Sequence, residues 1–183
     1  MQINVSQLLK APIGSIRSYE VNEVVDIAGD GSGNVVHGEI KLTRTDRGIL
    51  AKGTLHTEVK VTCSRCLSSF SCPLTLNFEE EYFPTVDVVG GVPIPLPDEP
   101  GCFTIDERHI LDLTEAIRQY ALLAIPMKPV CRTDCAGLCP NCGHNLNYGP
   151  CNCPPQEADP RWSKLIESSL ASDTLANEKK GAE

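Results

Sequence analysis

Eight of the ten cysteines stand in four closely spaced pairs. The pairs are Cys63-x2-Cys66, Cys131-x3-Cys135, Cys139-x2-Cys142 and Cys151-x-Cys153. Two thiolates at such spacing can hold one metal ion from a tight turn, and the amide groups of that turn stabilise the charge on sulfur. Because a tetrahedral zinc site takes four ligands, eight thiolates predict two structural zinc sites with no open position for water.

The spacing favours one partition of the ligands and leaves another open. In the favoured partition, one site is Cys63, Cys66, Cys131 and Cys135, and the other is Cys139, Cys142, Cys151 and Cys153. In the alternative, a local site is Cys135, Cys139, Cys142 and Cys153, and Cys131 or Cys151 binds no metal. The favoured partition gives one local knuckle and one site that closes a long stretch of chain.

Roles other than metal binding are less favoured for the cysteines and for His144. A redox Cys-x2-Cys belongs at a helix N-terminus in a βαβ unit, whereas Cys63 follows a predicted β-strand, so we expect no enzyme activity. Cys72 and Cys102 fit no pair and are expected to be buried or idle thiols. His144 follows the knuckle, and a surface position is favoured over a ligand role.

Three segments alternate apolar and polar residues with the period of a β-strand. They are NVVHGEIKLT, GILAKGTLHTEVKVTC and CPLTLNFEEEYF. With an earlier pair near Gly29, they predict an antiparallel β-meander of about five strands with one packed face. Gly48 is expected to take a positive φ in the turn between the first two segments.

One helix is predicted over residues 112–125. Asp112 and Glu115 have the spacing of an N-terminal capping box, and Pro126 ends the helix. The helix packs on the apolar face of the sheet, which makes the fold class α+β. We expect a β-rich core domain at 1–135 with an acidic Pro/Gly connector at 84–101. A zinc knuckle at 136–155 follows, then a C-terminal helix and frayed tail at 156–183.

The negative charge is concentrated in one segment. The net charge is -8, and residues 79–107 hold eight Asp/Glu and no Lys or Arg. The rest of the chain is near neutral, which weighs against general adhesion to nucleic acid. No apolar run is long enough to span a membrane and no signal peptide is visible, so we expect a cytoplasmic, reducing location.

Several motifs together resemble the YceD-like family of large ribosomal RNA subunit accumulation proteins. They are VTCSRCL at 61–67, LLAIPM at 122–127, GLCPNCGHNLN at 137–147 and the closing CNC at 151–153. The resemblance implies a non-enzymatic role in accumulation or processing of large-subunit (23S) rRNA and in ribosome assembly. It also implies that Cys63, Cys66, Cys131 and Cys135 form the core site and that the knuckle is an addition.

The resemblance and the concentrated negative charge predict two alternative kinds of partner. If the partner is rRNA or its precursor, the candidate phosphate contacts are Lys41, Arg44, Arg47, Lys52, Lys60 and Arg65. Aromatic residues make up 5% of the chain, so contact with backbone and shape is favoured over base stacking. The alternative is an acidic adaptor in which residues 79–107 bind a basic ribosomal protein.

Overall fold

The computed structural model describes residues 1–29, 31, 33–98, 100–154 and 161. The chain divides into two units, Met1–Gly137 and Leu138–Glu183. The predicted C-terminal helix and frayed tail, 156–183, lie outside the described residues apart from Arg161. Within the described residues, no helix has the length and apolar character needed to cross a membrane.

The described residues of the first unit form a seven-stranded sheet. The strands are β1 Gln2–Asn4, β2 Ile16–Asp26, β3 Gly33–Arg44, β4 Ile49–Thr62, β5 Ser69–Pro84, β6 Phe103–Ile105 and β7 Ile110–Asp112. Their order across the sheet is β1-β7-β6-β5-β4-β3-β2. Strands β2 to β5 pair consecutively and antiparallel, and the apolar residues predicted to share one face of these strands are buried in the core.

The prediction of about five antiparallel strands is wrong in two respects. The sheet has seven strands, and β6 pairs with β5 in parallel, with Tyr82 opposite Phe103. The connector returns the chain to the end of β5, where β6 begins in the same direction. Strands β1, β6 and β7 have three residues each, which is too short for an alternating pattern to be recognised.

Two glycines allow close approach of neighbouring strands. Gly38 in β3 has φ +151°, and a Cβ there would lie 2.3 Å from the Thr54 carbonyl oxygen of β4. Gly48 precedes β4, and a Cβ there would lie 2.1 Å from the Tyr82 carbonyl oxygen. Gly48 is not among the residues with positive φ, so that expectation is wrong. The glycine is needed because the strands leave no room for a side chain.

The main helix, α2, is Thr114–Ala124, and a short helix, α1, is Ser6–Leu9. Ile117 and Ala121 of α2 are buried, and the Tyr120 ring meets Phe78 of β5 edge-on at 6.0 Å between centroids. Burying an isoleucine side chain contributes about 2 kcal/mol. The helix therefore covers the apolar face of the sheet, in agreement with an α+β fold.

The predicted capping box at the start of α2 is wrong. Asp112 lies in β7, and the N-cap position is occupied by Leu113 with no side-chain cap. The Asp112 carboxylate instead accepts from the backbone N–H of Thr114 at 2.8 Å. The Glu115 carboxylate accepts from Arg118, three positions further along the helix, and this contact lowers the pKa of Glu115 to about 2.

Candidate metal centres

The first candidate centre, called centre 1, is formed by the loop after β4 and the segment after α2. It contains Cys63, Cys66, Cys131 and Cys135, whose sulfur atoms all lie within 4.8 Å of one another. The closest distances are 3.9 Å from Cys63 to Cys135 and 3.7 Å from Cys66 to Cys131. Zinc–sulfur bonds of about 2.3 Å in a tetrahedron place sulfurs about 3.8 Å apart, so the distances fit a metal ion.

The loop at residues 63–68 is a tight turn that directs amide groups at sulfur. The backbone N–H of Cys63 donates to the Ser68 carbonyl at 2.9 Å, and that of Leu67 donates to the Cys63 carbonyl at 3.0 Å. Leu67 takes φ 58°, which lets the chain reverse. The Cys63 sulfur accepts from the backbone N–H groups of Arg65 and Cys131, each at 3.4 Å.

Hydrogen bonds also join the two segments of centre 1 to each other. The Pro129 carbonyl accepts from the Ser64 backbone N–H at 2.8 Å and from its hydroxyl at 3.0 Å. The Arg65 Nη1 atom donates to the Cys135 carbonyl at 3.1 Å. Contacts between protein groups therefore already align the two pairs of cysteines, which lowers the entropy lost when a metal binds.

The second candidate centre, called centre 2, lies within the unit that begins at Leu138. The Cys139 backbone N–H donates to the His144 carbonyl at 2.8 Å, and the Gly143 N–H donates to the Cys139 carbonyl at 2.9 Å. Gly143 takes φ +73°, which closes this knuckle. A short 3-10 helix, Leu146–Tyr148, then turns the chain back towards the last pair of cysteines.

Centre 2 comprises Cys139, Cys142, Cys151 and Cys153, with all four sulfurs within 4.8 Å of one another. The structure thus groups the sulfurs as in the favoured partition, with Cys135 in centre 1. His144 is exposed and outside both groups. Cys72 packs against the edge of the hydrophobic core, and Cys102 is half-buried. Among the residues that the structure describes, neither belongs to a group that could hold a metal.

Within each centre the pKa of at least one thiol is lowered and that of another is raised. Backbone N–H groups, first that of Cys66, outweigh burial and lower the pKa of Cys63 to about 6. The N–H of Cys142 does most to lower the pKa of Cys139 to about 6. Burial raises the pKa of Cys131 to about 12. Four thiolates at this spacing repel one another, so full ionisation requires a bound cation.

The donor set and the burial indicate what each centre can do. Four soft thiolates suit zinc and leave no ligand position for water or substrate, so the chemistry that fits is structural cross-linking. Three of the four cysteines of centre 1 are buried, whereas Cys142 of centre 2 is exposed. Centre 1 joins residues 65 to 72 positions apart along the chain, so it fixes tertiary structure.

The six candidate phosphate contacts do not form one basic surface. Arg44 donates to the carbonyl oxygens of Leu9, Thr45 and Gly48, and so fastens the β3–β4 turn to α1. Arg47 pairs with Glu81 at 3.1 Å and Lys52 with Glu79 at 2.8 Å.

The other three candidates lie at two separate places. Lys41 is exposed on β3 and lies 3.9 Å from Glu39. Lys60 is exposed near the end of β4, and Arg65 follows in the loop of centre 1. Sequence reasoning missed two further cations beside centre 1, Lys128 and Arg132, because they lie far from β4 along the chain.

Carboxylates of the acidic segment, 79–107, also make contacts within the protein. Besides the two ion pairs above, the Glu80 carboxylate accepts from the Tyr120 hydroxyl at 2.9 Å. The Asp87 carboxylate accepts from the backbone of Gly90, which holds its pKa below the ordinary value. Asp106 accepts from the N–H of Ile110 at 2.7 Å. Most described carboxylates of 79–107 therefore hold local structure.

The fold and the two centres define an α+β protein with two four-cysteine groups that can hold metal ions. The family described as "Large ribosomal RNA subunit accumulation protein YceD" matches residues 51–167. The chain belongs to this family. The match begins in β4 and includes α2 and every cysteine of both centres, so it covers the parts of the chain that build the site.

Similar proteins occur in bacteria and in a plant. An uncharacterized protein of Mycobacterium tuberculosis is 30% identical over 149 residues, covering 77% of this chain and 66% of the relative. An uncharacterized protein of Mycobacterium leprae is 28% identical, covering 74% and 59%. A protein of Arabidopsis thaliana named large ribosomal RNA subunit accumulation protein YCED homolog 1, chloroplastic, is 26% identical, covering 76% and 50%. No solved structure matches the chain.

Proposed function

We propose that this protein supports the accumulation of large-subunit (23S) rRNA during ribosome assembly, without catalysing a reaction. The observation that carries the proposal is membership of a family named for that role, across the part of the chain that holds both centres. The name of the plant relative points to the same RNA. We propose that the protein acts in the cytoplasm, where reduced thiols remain available to metal.

Zinc in both centres is part of this proposal. Closed four-thiolate sites make structural cross-links, and centre 1 would attach the end of β4 to the segment after α2. The protein would then present a stable surface to the assembling subunit. Its contribution would be binding, which protects or shapes the RNA while ribosomal proteins join.

Direct contact with rRNA or its precursor is favoured over the adaptor for a basic ribosomal protein. An adaptor would need carboxylates free to meet a basic partner, yet Glu79 and Glu81 already pair with cations, and Asp87 and Asp106 accept from backbone N–H groups. Releasing such carboxylates would cost the contacts that they make now.

Depletion in the cells that make the protein tests the proposal. We expect the ratio of 23S to 16S rRNA to fall and unprocessed large-subunit precursor to accumulate, and wild-type protein to restore both. Crosslinking with ultraviolet light at native salt, followed by sequencing, should place the protein on large-subunit rRNA or its precursor. An unchanged 23S to 16S ratio after full depletion would refute the proposed function.

The adaptor hypothesis predicts a different result in the crosslinking experiment. Recovery of a basic ribosomal protein with no crosslinked RNA would favour it. In that case, replacing Asp98 and Glu107, two exposed acids of the segment, with Asn and Gln should weaken the capture of that protein. The same changes leave RNA crosslinking intact if rRNA is the direct partner.

A further inference from the structure

We propose that the surface around centre 1 binds the phosphate backbone of RNA. This surface, called the centre-1 surface, consists of residues 60–68 and 128–135. The inference rests on the proposed function and deepens it by assigning the part of the molecule that meets the RNA. It keeps Lys60 and Arg65 of the six candidate contacts and drops Lys41, Arg44, Arg47 and Lys52, whose side chains contact protein groups.

The charge of the centre-1 surface is opposite to that of the whole chain. Its cations are Lys60, Arg65, Lys128 and Arg132, and its one acid is Asp134. All five side chains belong to exposed residues. A net positive patch on a chain of net charge -8 attracts polyanions locally, while the remaining acidic surface limits non-specific adhesion.

Hydrogen bonds join the two segments that carry these cations, although the segments are far apart in the sequence. The bonds from Ser64 to the Pro129 carbonyl place Lys128, the preceding residue, beside the loop that holds Arg65. Arg65 reaches the carbonyls of Thr133 and Cys135 through Nη1. These contacts use one nitrogen of a guanidinium that has five N–H donors, which leaves capacity for a phosphate.

Lys60 and Lys128 differ from Lys41 and Lys52 in their ion pairs. Lys52 is held by Glu79 at 2.8 Å, whereas the ion pairs of the described residues include neither Lys60 nor Lys128. Leu67 and Met127 are exposed at the same loops and offer apolar atoms to a ribose or an unstacked base.

A structural role for these cations has to be separated from RNA binding. A zinc ion with four thiolates carries two formal negative charges, which nearby lysines would help to balance. If that were their only role, removing them would weaken metal binding and stability. If they bind phosphate, removing them would weaken RNA binding and leave metal content unchanged.

The test uses full-length, zinc-loaded protein and two double variants that change the charge equally. Lys60→Gln with Lys128→Gln alters the centre-1 surface, and Lys10→Gln with Lys41→Gln alters exposed lysines elsewhere. The probe is a transcript of the organism's own large-subunit rRNA, titrated between about 50 and 200 mM salt. Metal content and thermal unfolding are measured on each protein.

We expect the centre-1 variant to bind the transcript about 20-fold more weakly near 0.15 M salt. Each lost phosphate contact reduces the number of counterions released on binding, and that release contributes to the affinity. The slope of log K against log salt should become shallower by about 1.5. The control variant should bind like wild type, and all three proteins should keep the same metal content and unfolding temperature.

Three results would overturn the inference. In one, both double variants bind as wild type or lose affinity equally. In another, the centre-1 variant loses metal or stability and keeps its RNA affinity. In the third, wild-type protein does not bind the transcript at all. Each leaves the proposed function to be judged separately, by the 23S to 16S ratio after depletion.

Discussion

Removal of the thiolates on the strand side of centre 1, by Cys63→Ser with Cys66→Ser, should destabilise the whole first unit. Cys63 directly follows β4, and its partners Cys131 and Cys135 follow α2, so the metal would connect the sheet to the helix segment. Everything between these points, including β5 and the acidic connector, lies inside the loop that the cross-link closes.

The expected size of the effect follows from the length of that loop. The sulfur pairs in closest contact are 65 and 72 positions apart. A cross-link that closes such a loop limits the unfolded chain and contributes about 4 kcal/mol to stability. For a chain of this size each kcal/mol shifts the unfolding temperature by about 2–4 °C, so we expect a fall of about 10 °C or more.

Metal content and thermal unfolding, measured on the same proteins, test this prediction. The matched control is Cys72→Ser with Cys102→Ser, which changes the same residue type outside both centres. We expect mass spectrometry to find two zinc ions per chain in wild type and in the control, and one in the centre-1 variant. A variant that keeps two ions, or unfolds at the wild-type temperature, would refute the reasoning.

Three further predictions concern other parts of the molecule. Cys139→Ser with Cys142→Ser should remove one zinc ion and leave the main unfolding transition unchanged, because centre 2 lies wholly in the second unit; a lower main transition would contradict this. Gly38→Ala should destabilise by about 2 kcal/mol in urea unfolding, since a Cβ would lie 2.3 Å from the Thr54 carbonyl oxygen; unchanged stability would contradict it. The buried Tyr82 hydroxyl has no hydrogen-bond partner among the described residues, so Tyr82→Phe should stabilise by about 1 kcal/mol. Burial raises the pKa of Tyr82 above its ordinary value, so the unfolded state ionises first and wild-type stability falls as pH rises above about 10. The Phe variant should lack this loss, and a less stable variant at neutral pH would contradict the prediction.

The sequence identified the local features well. The strands at 33–44, 49–62 and 69–84 follow from periodicity, because burial of one face imposes a period of 2 on nearby residues. Pro126 indicated where the helix at 114–124 ends. The pairing of the cysteines was visible because two ligands on one turn must be close in sequence. Residues 51–167, which match the family, contain the four cysteine pairs and the motifs on which the resemblance was based.

Other features were decided only by tertiary structure. Strands of three residues, such as β6 and β7, have no detectable period, and they form because β5 offers an edge that the returning chain can reach. Likewise, the sequence offered Arg44 and Lys52 as candidate phosphate contacts, but turn and cross-strand contacts engage both side chains.

The centre-1 surface is the clearest example of a feature that the sequence alone did not predict. Lys60 and Lys128 are 68 positions apart, and no local rule relates them. The segments that carry them, 60–68 and 128–135, meet because the cysteine pairs of centre 1 converge and Ser64 bonds to the Pro129 carbonyl. The sequence determined which residues can bind a metal, since that depends on side-chain chemistry and short spacing. Only the folded chain decided which charges remain available to a partner, since that depends on contacts between distant segments.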